Sequence, residues 1–262
     1  MFEAIRKWRQ RRLLATSTIP DALWREALEA LPFLAIYTEP EIERLRERAV
    51  LFLNDKSIVG AGGFEVTPLM RVTIAIQACV LVLNLDLRLY DGWENVIVYP
   101  DEFVTNLEFE DDAGVVHRRT EPLAGEAMPG GPVVLSWPDI EASSDWSATG
   151  MNLVIHEFAH KIDMSNGEAN GFPPLPPEMP RRGWQKTMSG AYTNFRVRVE
   201  KGEDTAIDPY AAESPAEFFA VLSEVFFVDP TLLQMEYPKV YVLFAEFYRQ
   251  DPASRTELLL EY

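Results

Sequence analysis

The spacing of apolar residues along the chain predicts a protein built mainly from helices. Apolar side chains recur every three to four residues in 20–31, the period of a helix with one buried face, and Pro32 ends this segment. Residues 68–87 are apolar on nearly every side, so they predict a long, buried central helix. Further helices are predicted for residues 38–54, 184–200, 210–227 and 232–248.

Short runs rich in β-branched residues predict strands between these helices. One strand is expected at 95–99, another within the glycine-rich stretch 57–66, and a hairpin around the turn residues 111–114. A further strand, 132–137, comes just before the segment with the most distinctive chemistry. The pattern leaves open whether this strand lies at a sheet edge, where a peptide could add to it, or in the interior.

The segment 154–163 carries the pattern H-E-x-x-H. Residues four apart lie above each other on one helix face, so His156 and His160 can present two imidazole nitrogens to one metal ion. Glu157 lies one residue round the helix, where its carboxylate can reach a water molecule on that metal. The chain has only 3 histidines, so finding two of them in this arrangement is a specific signal for a zinc site.

Capping residues predict the boundaries of this helix. Ser143, Ser144 and Asp145 are the candidate N-caps, and Asn166 followed by Gly167 supplies a stop. These boundaries place the motif in the second half of the helix.

Composition limits the remaining possibilities. The net charge of −17 disfavours direct binding to nucleic acid, and the single cysteine, Cys79, excludes an intramolecular disulfide, so a cytoplasmic location is expected. No apolar run is long enough for a transmembrane segment. We expect a single domain over residues 1–262, in which 1–18 form a basic helical tail. A helix lying on a membrane surface is the alternative for that tail.

A catalytic zinc site needs a third protein ligand, and the motif leaves its identity open. The three-histidine extension is absent, because Asp163 stands where its glycine would be. A carboxylate is therefore expected, either Asp163 itself or one from the later helix, where the candidates are Glu213, Glu217 and Glu224. The later helix is favoured because it can approach the metal at a tetrahedral angle. Glu217 and Glu224 stay rivals, and Ser214-x-x-Glu217 also fits a capping box.

Two separated motifs resemble the Mlc titration factor A family of bacterial zinc peptidases, whose catalytic part is related to the anthrax lethal factor peptidase domain. They are H-E-F-A-H-K-I-D and Y-A-A-E-S-P-A-E-F-F-A-V-L-S-E-V-F-F, and the similarity extends to G-P-V-V-L-S-W and F-Y-R-Q-D-P. The resemblance implies that His156, His160 and Glu217 bind zinc, that Glu157 is the general base and that the Tyr210 phenol faces the metal site. It also implies aminopeptidase-like activity on short peptides and binding to the repressor Mlc.

The expected fold is α+β and zincin-like, with a small mixed sheet, an H-E-x-x-H helix and a second ligand-bearing helix. The expected function is peptide hydrolysis with one Zn²⁺ per chain. The alternative is a regulatory protein that sequesters a transcription factor and holds a weakly active or structural zinc. A structural site has no need of a glutamate at position 157, and this favours the enzyme.

Overall fold

Helices make up most of the protein, and a small mixed sheet lies among them. The computed structural model describes residues 2–101, 103–110, 116–123, 125–143 and 151–260. Within these ranges the helices are α1 Phe2–Thr16, α2 Asp21–Glu29, α3 Glu39–Asp55, α4 Pro68–Leu81, α5 Trp137–Ala142, α6 Leu153–Asp163, α7 Arg181–Glu200, α8 Pro215–Val228, α9 Pro230–Glu236, α10 Pro238–Tyr248 and α11 Pro252–Leu260. The strands are β1 Ser57–Gly60, β2 Asn95–Tyr99, β3 Phe103–Glu110, β4 Val116–Leu123, β5 Gly125–Ala127 and β6 Val133–Ser136. The fold class is α+β, as predicted.

The sheet order decides which strand is open to a peptide. Strands β1, β2 and β6 are parallel, and the short strand β5 pairs antiparallel with β6, so the order is β1-β2-β6-β5. The strand predicted at 132–137 is therefore interior, and the edge beside it is β5. Strands β3 and β4 form the predicted antiparallel hairpin, whose expected turn residues lie outside the described ranges.

Helix α4 is the predicted buried centre of the molecule, but it is shorter than its apolar pattern indicated. Its N-terminus is capped by Thr67, whose hydroxyl accepts the backbone N–H of Met70 at 3.2 Å, and Pro68 follows. The helix ends at Leu81, and Asp86 caps a separate 3₁₀ helix, Leu87–Tyr90, through the backbone N–H of Arg88. This local side-chain bond offers the backbone an alternative to continuing the helix.

The helix predicted over 232–248 is in fact two helices. Pro238 has no backbone N–H and restricts the residue before it, and Tyr237 accordingly adopts non-helical angles between α9 and α10. The aromatic side chains of α10 pack into the core, where Trp184 stacks on Phe244 with ring centroids 5.8 Å apart. The break therefore changes the direction of the chain without exposing the apolar surface.

The basic N-terminal segment forms helix α1, in agreement with its predicted helical character. One side faces the body, where Arg6 makes an ion pair with Asp86 at 2.8 Å and Leu13 and Leu14 pack against the core. On the other side, Trp8 is 58% exposed. None of the helices in the part of the chain that the structure describes is long and apolar enough to cross a membrane.

Glu41 should make folding stability depend on acid pH. Burial alone raises its pKa, but hydrogen bonds from Thr38 and the two-pronged contact with Arg255 at 2.8 and 2.9 Å outweigh burial and lower it. A lowered folded-state pKa means that the stabilisation is complete above the unfolded pKa of about 4.3 and is lost as pH falls through the folded value. We expect Glu41→Gln to cost about 1–3 kcal/mol at pH 7 and to flatten the acid side of the stability curve.

Denaturant unfolding between pH 3 and pH 7 measures this effect. Glu39→Gln is the matched control, because Glu39 is exposed on the same helix turn. An equal acid dependence in wild type and Glu41→Gln would contradict the assignment.

Candidate metal centre

The motif helix α6 begins later than its predicted caps. Asn152 is the N-cap, and its side-chain oxygen accepts the backbone N–H of Ile155 at 2.9 Å. Its amide nitrogen donates to Gln77 of α4 at 2.8 Å, which fixes the helix start to the buried centre. The predicted cap Ser143 instead follows α5 at its C-terminal end, and the other two candidates lie outside the described residues. The motif therefore occupies the middle of α6, and the 3₁₀ turn Met164–Asn166 and Gly167 follow the helix, as the stop signal predicted.

The face of α6 opposite the histidines is anchored by aromatic packing. Phe158 is fully buried, and its ring lies 5.6 Å from Phe52, 5.3 Å from Tyr90 and 5.8 Å from Trp93 between centroids. Edge-to-face contacts of this kind add to area burial and restrict rotation about the helix axis. The direction in which the histidines point is thereby fixed.

Three ligand atoms from two helices meet at one point. His156 Nε2 lies 3.0 Å and His160 Nε2 3.2 Å from Glu217 Oε2, and the two nitrogens are 3.1 Å apart. These are the residues that could hold a metal ion, since their ligand atoms all lie within 4.8 Å of one another. Two imidazoles and one carboxylate are a donor set that suits zinc, and they leave one tetrahedral position open.

The electrostatics of the cluster favour a positive charge at this point. Burial alone lowers the pKa of His156, but Glu224 and Glu217 raise it well above its usual value. Burial alone raises the pKa of Glu217, but hydrogen bonds and charge from the two histidines hold it well below its usual range. Either a proton or a metal cation would supply the positive charge that these carboxylates favour. The residues present therefore fit a divalent metal.

Glu217 lies in the first turn of helix α8, and its backbone and side chain have separate roles. The Ser214 hydroxyl accepts the backbone N–H of Glu217 at 3.1 Å, as an N-cap should. The Glu217 carboxylate lies on the two histidines instead of turning back to the cap. Among the carboxylates left open by the sequence, the structure thus brings Glu217 to the site, whereas Glu213 is exposed.

Glu224, the other candidate ligand, contacts the ring nitrogen of His156 that faces away from Glu217. Its Oε1 is 2.6 Å from His156 Nδ1, and its Oε2 accepts the backbone N–H of Asn152 at 2.5 Å. A carboxylate on the far ring nitrogen fixes the tautomer, so that Nε2 keeps its lone pair for a metal. Position 224 lies two turns after Glu217 on the same face of the helix, so the spacing places both carboxylates towards α6 without telling their roles apart.

Asp163 has a structural role, contrary to its candidacy as a ligand. It is fully buried, and its carboxylate accepts the backbone N–H groups of Asn170 and Gly171 at 2.7 Å and of Phe172 at 2.9 Å. Gly171, with φ of 73°, sits so close to Pro215 that a Cβ atom would collide with its backbone. Asp163 therefore holds the loop that packs on the first residue of α8, two positions before Glu217.

Glu157 lies between the motif helix and the sheet edge. It is 5% exposed, and a Cβ built on Gly125 of β5 would lie 2.8 Å from its Cδ atom. Only glycine permits this close approach of the strand to the carboxylate. Burial, with smaller contributions from Glu217 and Glu224, outweighs the two histidines and raises the pKa of Glu157 to about 7. A pKa in this range suits a general base.

Lys161 fixes the edge strand to the motif helix. Its ammonium donates to the carbonyl oxygens of Met128 at 2.6 Å and Gly131 at 2.7 Å, in the turn between β5 and β6. The same ammonium lies 4.8 Å from the centroid of the Trp93 ring. The position of β5 relative to the histidines is therefore set by α6 itself.

Tyr210 lies beside the site, on the 3₁₀ helix Pro209–Ala212. Asp208 caps this turn by accepting the Tyr210 backbone N–H at 2.8 Å. The Tyr210 ring centroid is 6.1 Å from that of His156, and the residue is 48% exposed. The Tyr210 side chain thus lies next to a candidate ligand at a position that solvent reaches.

A helix-borne H-E-x-x-H pair with a carboxylate from a second helix is the arrangement of a metallopeptidase. Comparison with known proteins agrees, since the family model described as glucose-regulated metallo-peptidase M90 matches residues 5–249. The chain belongs to this family.

Similar proteins include several named Mlc titration factor A. One from Klebsiella pneumoniae subsp. pneumoniae is 42% identical over 234 residues, which cover 88% of this chain and 87% of the relative. One from Shigella dysenteriae serotype 1 is 42% identical over 252 residues, covering 95% and 93%. The resemblance drawn from the two sequence motifs is confirmed, and it extends over most of the chain.

Replacing Glu217 should separate metal binding from folding. Replacing a residue that contacts a metal ligand, but not the metal, typically weakens metal binding by roughly 10–100-fold. We expect Glu217→Gln to weaken zinc binding by more than this. Competition with a chromogenic chelator measures the affinity, and thermal unfolding of the metal-free proteins measures the fold.

Glu213→Gln is the control, because it removes the same charge from an exposed position close in sequence. If both variants bound zinc like wild type, or if Glu217→Gln only lowered the metal-free melting temperature, the carboxylate would be a capping group and not a ligand.

Proposed function

We propose that the protein is a zinc-dependent peptidase with a zincin-like catalytic centre and aminopeptidase-like activity on short peptides. The observation that carries this proposal is the convergence of His156, His160 and Glu217 on one point, with Glu157 buried beside the open sheet edge. Membership of a metallopeptidase family supports the same reaction class.

His156, His160 and Glu217 would hold the zinc, and Glu224 would orient His156. When bound there, zinc supplies a Lewis acid that polarises the peptide carbonyl and lowers the pKa of water. Glu157 accepts the proton of the attacking water and returns it to the leaving amine. Its pKa of about 7 allows it to take and release a proton near neutral pH. Tyr210 donates its hydroxyl to the oxyanion that develops on the carbonyl.

The edge strand gives the peptide its alignment. Strand β5 ends the sheet among the described strands, and Gly125 brings it against Glu157. A peptide that adds to this edge as a further strand passes directly over the general base. Binding through the backbone fits activity on short peptides of varied sequence.

Glu157→Gln tests the proposed reaction. The amide keeps the shape of the side chain and removes the base, so we expect zinc binding and melting temperature to stay unchanged while turnover falls by about 10²–10⁴. The measurements are hydrolysis of amino-acid nitroanilides and short peptides by zinc-loaded protein, and zinc content. Full turnover in the variant would overturn the role of Glu157. If the wild type failed to hydrolyse any of these substrates, the proposed peptidase activity itself would be overturned.

Tyr210→Phe tests the oxyanion donor. Removing one preorganised donor costs about 10²–10³ in kcat, whereas loss of a hydroxyl from an exposed packing ring costs little. We expect kcat to fall by this factor with KM and zinc binding near wild type. Tyr192→Phe is the control, because its hydroxyl donates to the carbonyl of Ala212 in the same 3₁₀ helix but lies outside the ligand cluster. A kcat equal to wild type in Tyr210→Phe would exclude the donor role.

A second proposed function is binding to a transcriptional repressor of the Mlc type, favoured by the name shared by the similar proteins. With a net charge of −17 the chain itself should not bind duplex DNA, so an effect on transcription would pass through a protein partner in the cytoplasm. The Glu157→Gln variant distinguishes the two functions, since partner binding does not need a general base.

A further inference from the structure

Glu126 is a half-buried residue beside the candidate metal centre, and it takes no part in the proposed reaction. It occupies the middle of edge strand β5, and its Oε2 atom is buried without a hydrogen-bond partner among the residues that the structure describes. Burial raises the pKa of Glu126, and no cation within the described part of the chain offsets this effect. A carboxylate oxygen buried without a partner is costly, and because the residue as a whole is half-exposed, a positive charge from outside the protein can supply that partner.

The hydrogen-bond ladder shows how a peptide would meet Glu126. The backbone N–H of Met128 bonds the carbonyl of Pro132 at 3.2 Å, and the antiparallel register pairs Glu126 with Val134. Such bonds recur at every second residue, so the backbone of Glu126 faces β6. The backbone groups of Gly125 and Ala127 then point to the free edge, where an incoming strand would bond to them.

The position of the scissile bond follows from Gly125. Because Gly125 lies against Glu157, the peptide residue that pairs with Gly125 lies over the general base. Its neighbour falls opposite Glu126. In an antiparallel pairing this is a non-hydrogen-bonded pair, in which Cα atoms approach to roughly 4.5 Å and side chains come closest.

We propose that Glu126 binds a cationic group of the peptide, one residue from the bond that is cleaved. The inference rests on the proposed peptidase function and names the substrate class for that site. The cation has two sources: a lysine or arginine side chain at this position, or the free α-amino group of a peptide whose first residue lies there. An opposite-charge pair across two strands is favourable, and the net charge of −17 also attracts cationic peptides.

Alternation of side chains distinguishes this role from catalysis. Gly125 faces α6 and the general base, so Glu126 faces the other side of the sheet. It therefore contacts neither the water nor the carbonyl, and acts on substrate choice. Substitution should change the preference among peptides while leaving zinc binding unchanged.

The test uses six short peptides of one sequence with zinc-loaded protein. They carry norleucine at both positions flanking the scissile bond, or lysine at one or the other of them, and each of these three is made with a free and with an acetylated amino terminus. Glu126→Gln is compared with wild type, and Glu26→Gln, at an exposed position on α2, is the matched control. Dissociation constants of the same peptides are measured in the Glu157→Gln background, with and without Glu126→Gln.

We expect wild type to prefer a cationic peptide by about tenfold or more in kcat/KM, as a hydrogen bond to a charged group gives. Glu126→Gln should abolish that preference, leave the acetylated norleucine peptide unaffected and keep the zinc affinity. Loss of a preference for lysine assigns the side chain, and loss of a preference for the free terminus assigns the amino group.

A preference that survives in Glu126→Gln, or an equal loss for charged and uncharged peptides, would overturn the inference. If wild type hydrolysed no peptide, the proposed peptidase activity would be rejected. The dissociation constants would still decide whether Glu126 binds the cationic group. Equal dissociation constants with and without Glu126→Gln would then reject it.

Discussion

The burial of carboxylates at the contact between α6 and α8 is the constraint on which the site depends. Glu217 and Glu224 lie on one face of an otherwise apolar helix, and removing two charges from water is costly unless partners are supplied. His156 contacts both, through opposite ring nitrogens, and therefore joins the two helices. Helix α8 can thus pack against α6 with both carboxylates partnered.

Similar carboxylates have acquired different roles through their surroundings. Glu217 lies on two imidazole nitrogens and is available to a metal, whereas Glu224 is fixed between a ring N–H and a backbone N–H. Asp163 accepts three backbone N–H groups, so its carboxylate holds a loop. Glu157 accepts no such hydrogen bond from the described residues and keeps a raised pKa. The kind and number of donors around each carboxylate thus separate the proposed metal ligand, the group that orients His156, the structural group and the proposed base.

The sequence was most informative where chemistry and helical period coincide. His156, Glu157 and His160 stand in a local pattern whose geometry any helix provides, and the cap at Ser214 was equally local. The choice between Glu217 and Glu224 could not be made in this way, because both lie on the same face and only the packing of α6 on α8 separates them. Strand β5 was missed since Gly125–Ala127 has no β-branched residue and owes its conformation to pairing with β6. The end of α4 was placed too late because the apolar run continues past Leu81 in tighter turns, in which the backbone N–H of Leu83 bonds the carbonyl of Val80 and that of Leu85 the carbonyl of Val82.

The ligand set also has a consequence for how the chain folds. His156 and Glu217 are separated by 61 positions, so the donor cluster closes a long loop that includes α7. Loop closure is an entropic barrier that local contacts cannot lower, and it places completion of the site late in folding. A metal ion bound across it would act as a removable cross-link, stabilising the native state in proportion to the logarithm of its free concentration. The supply of metal to the cell would in this way influence the lifetime of the folded chain as well as its chemistry.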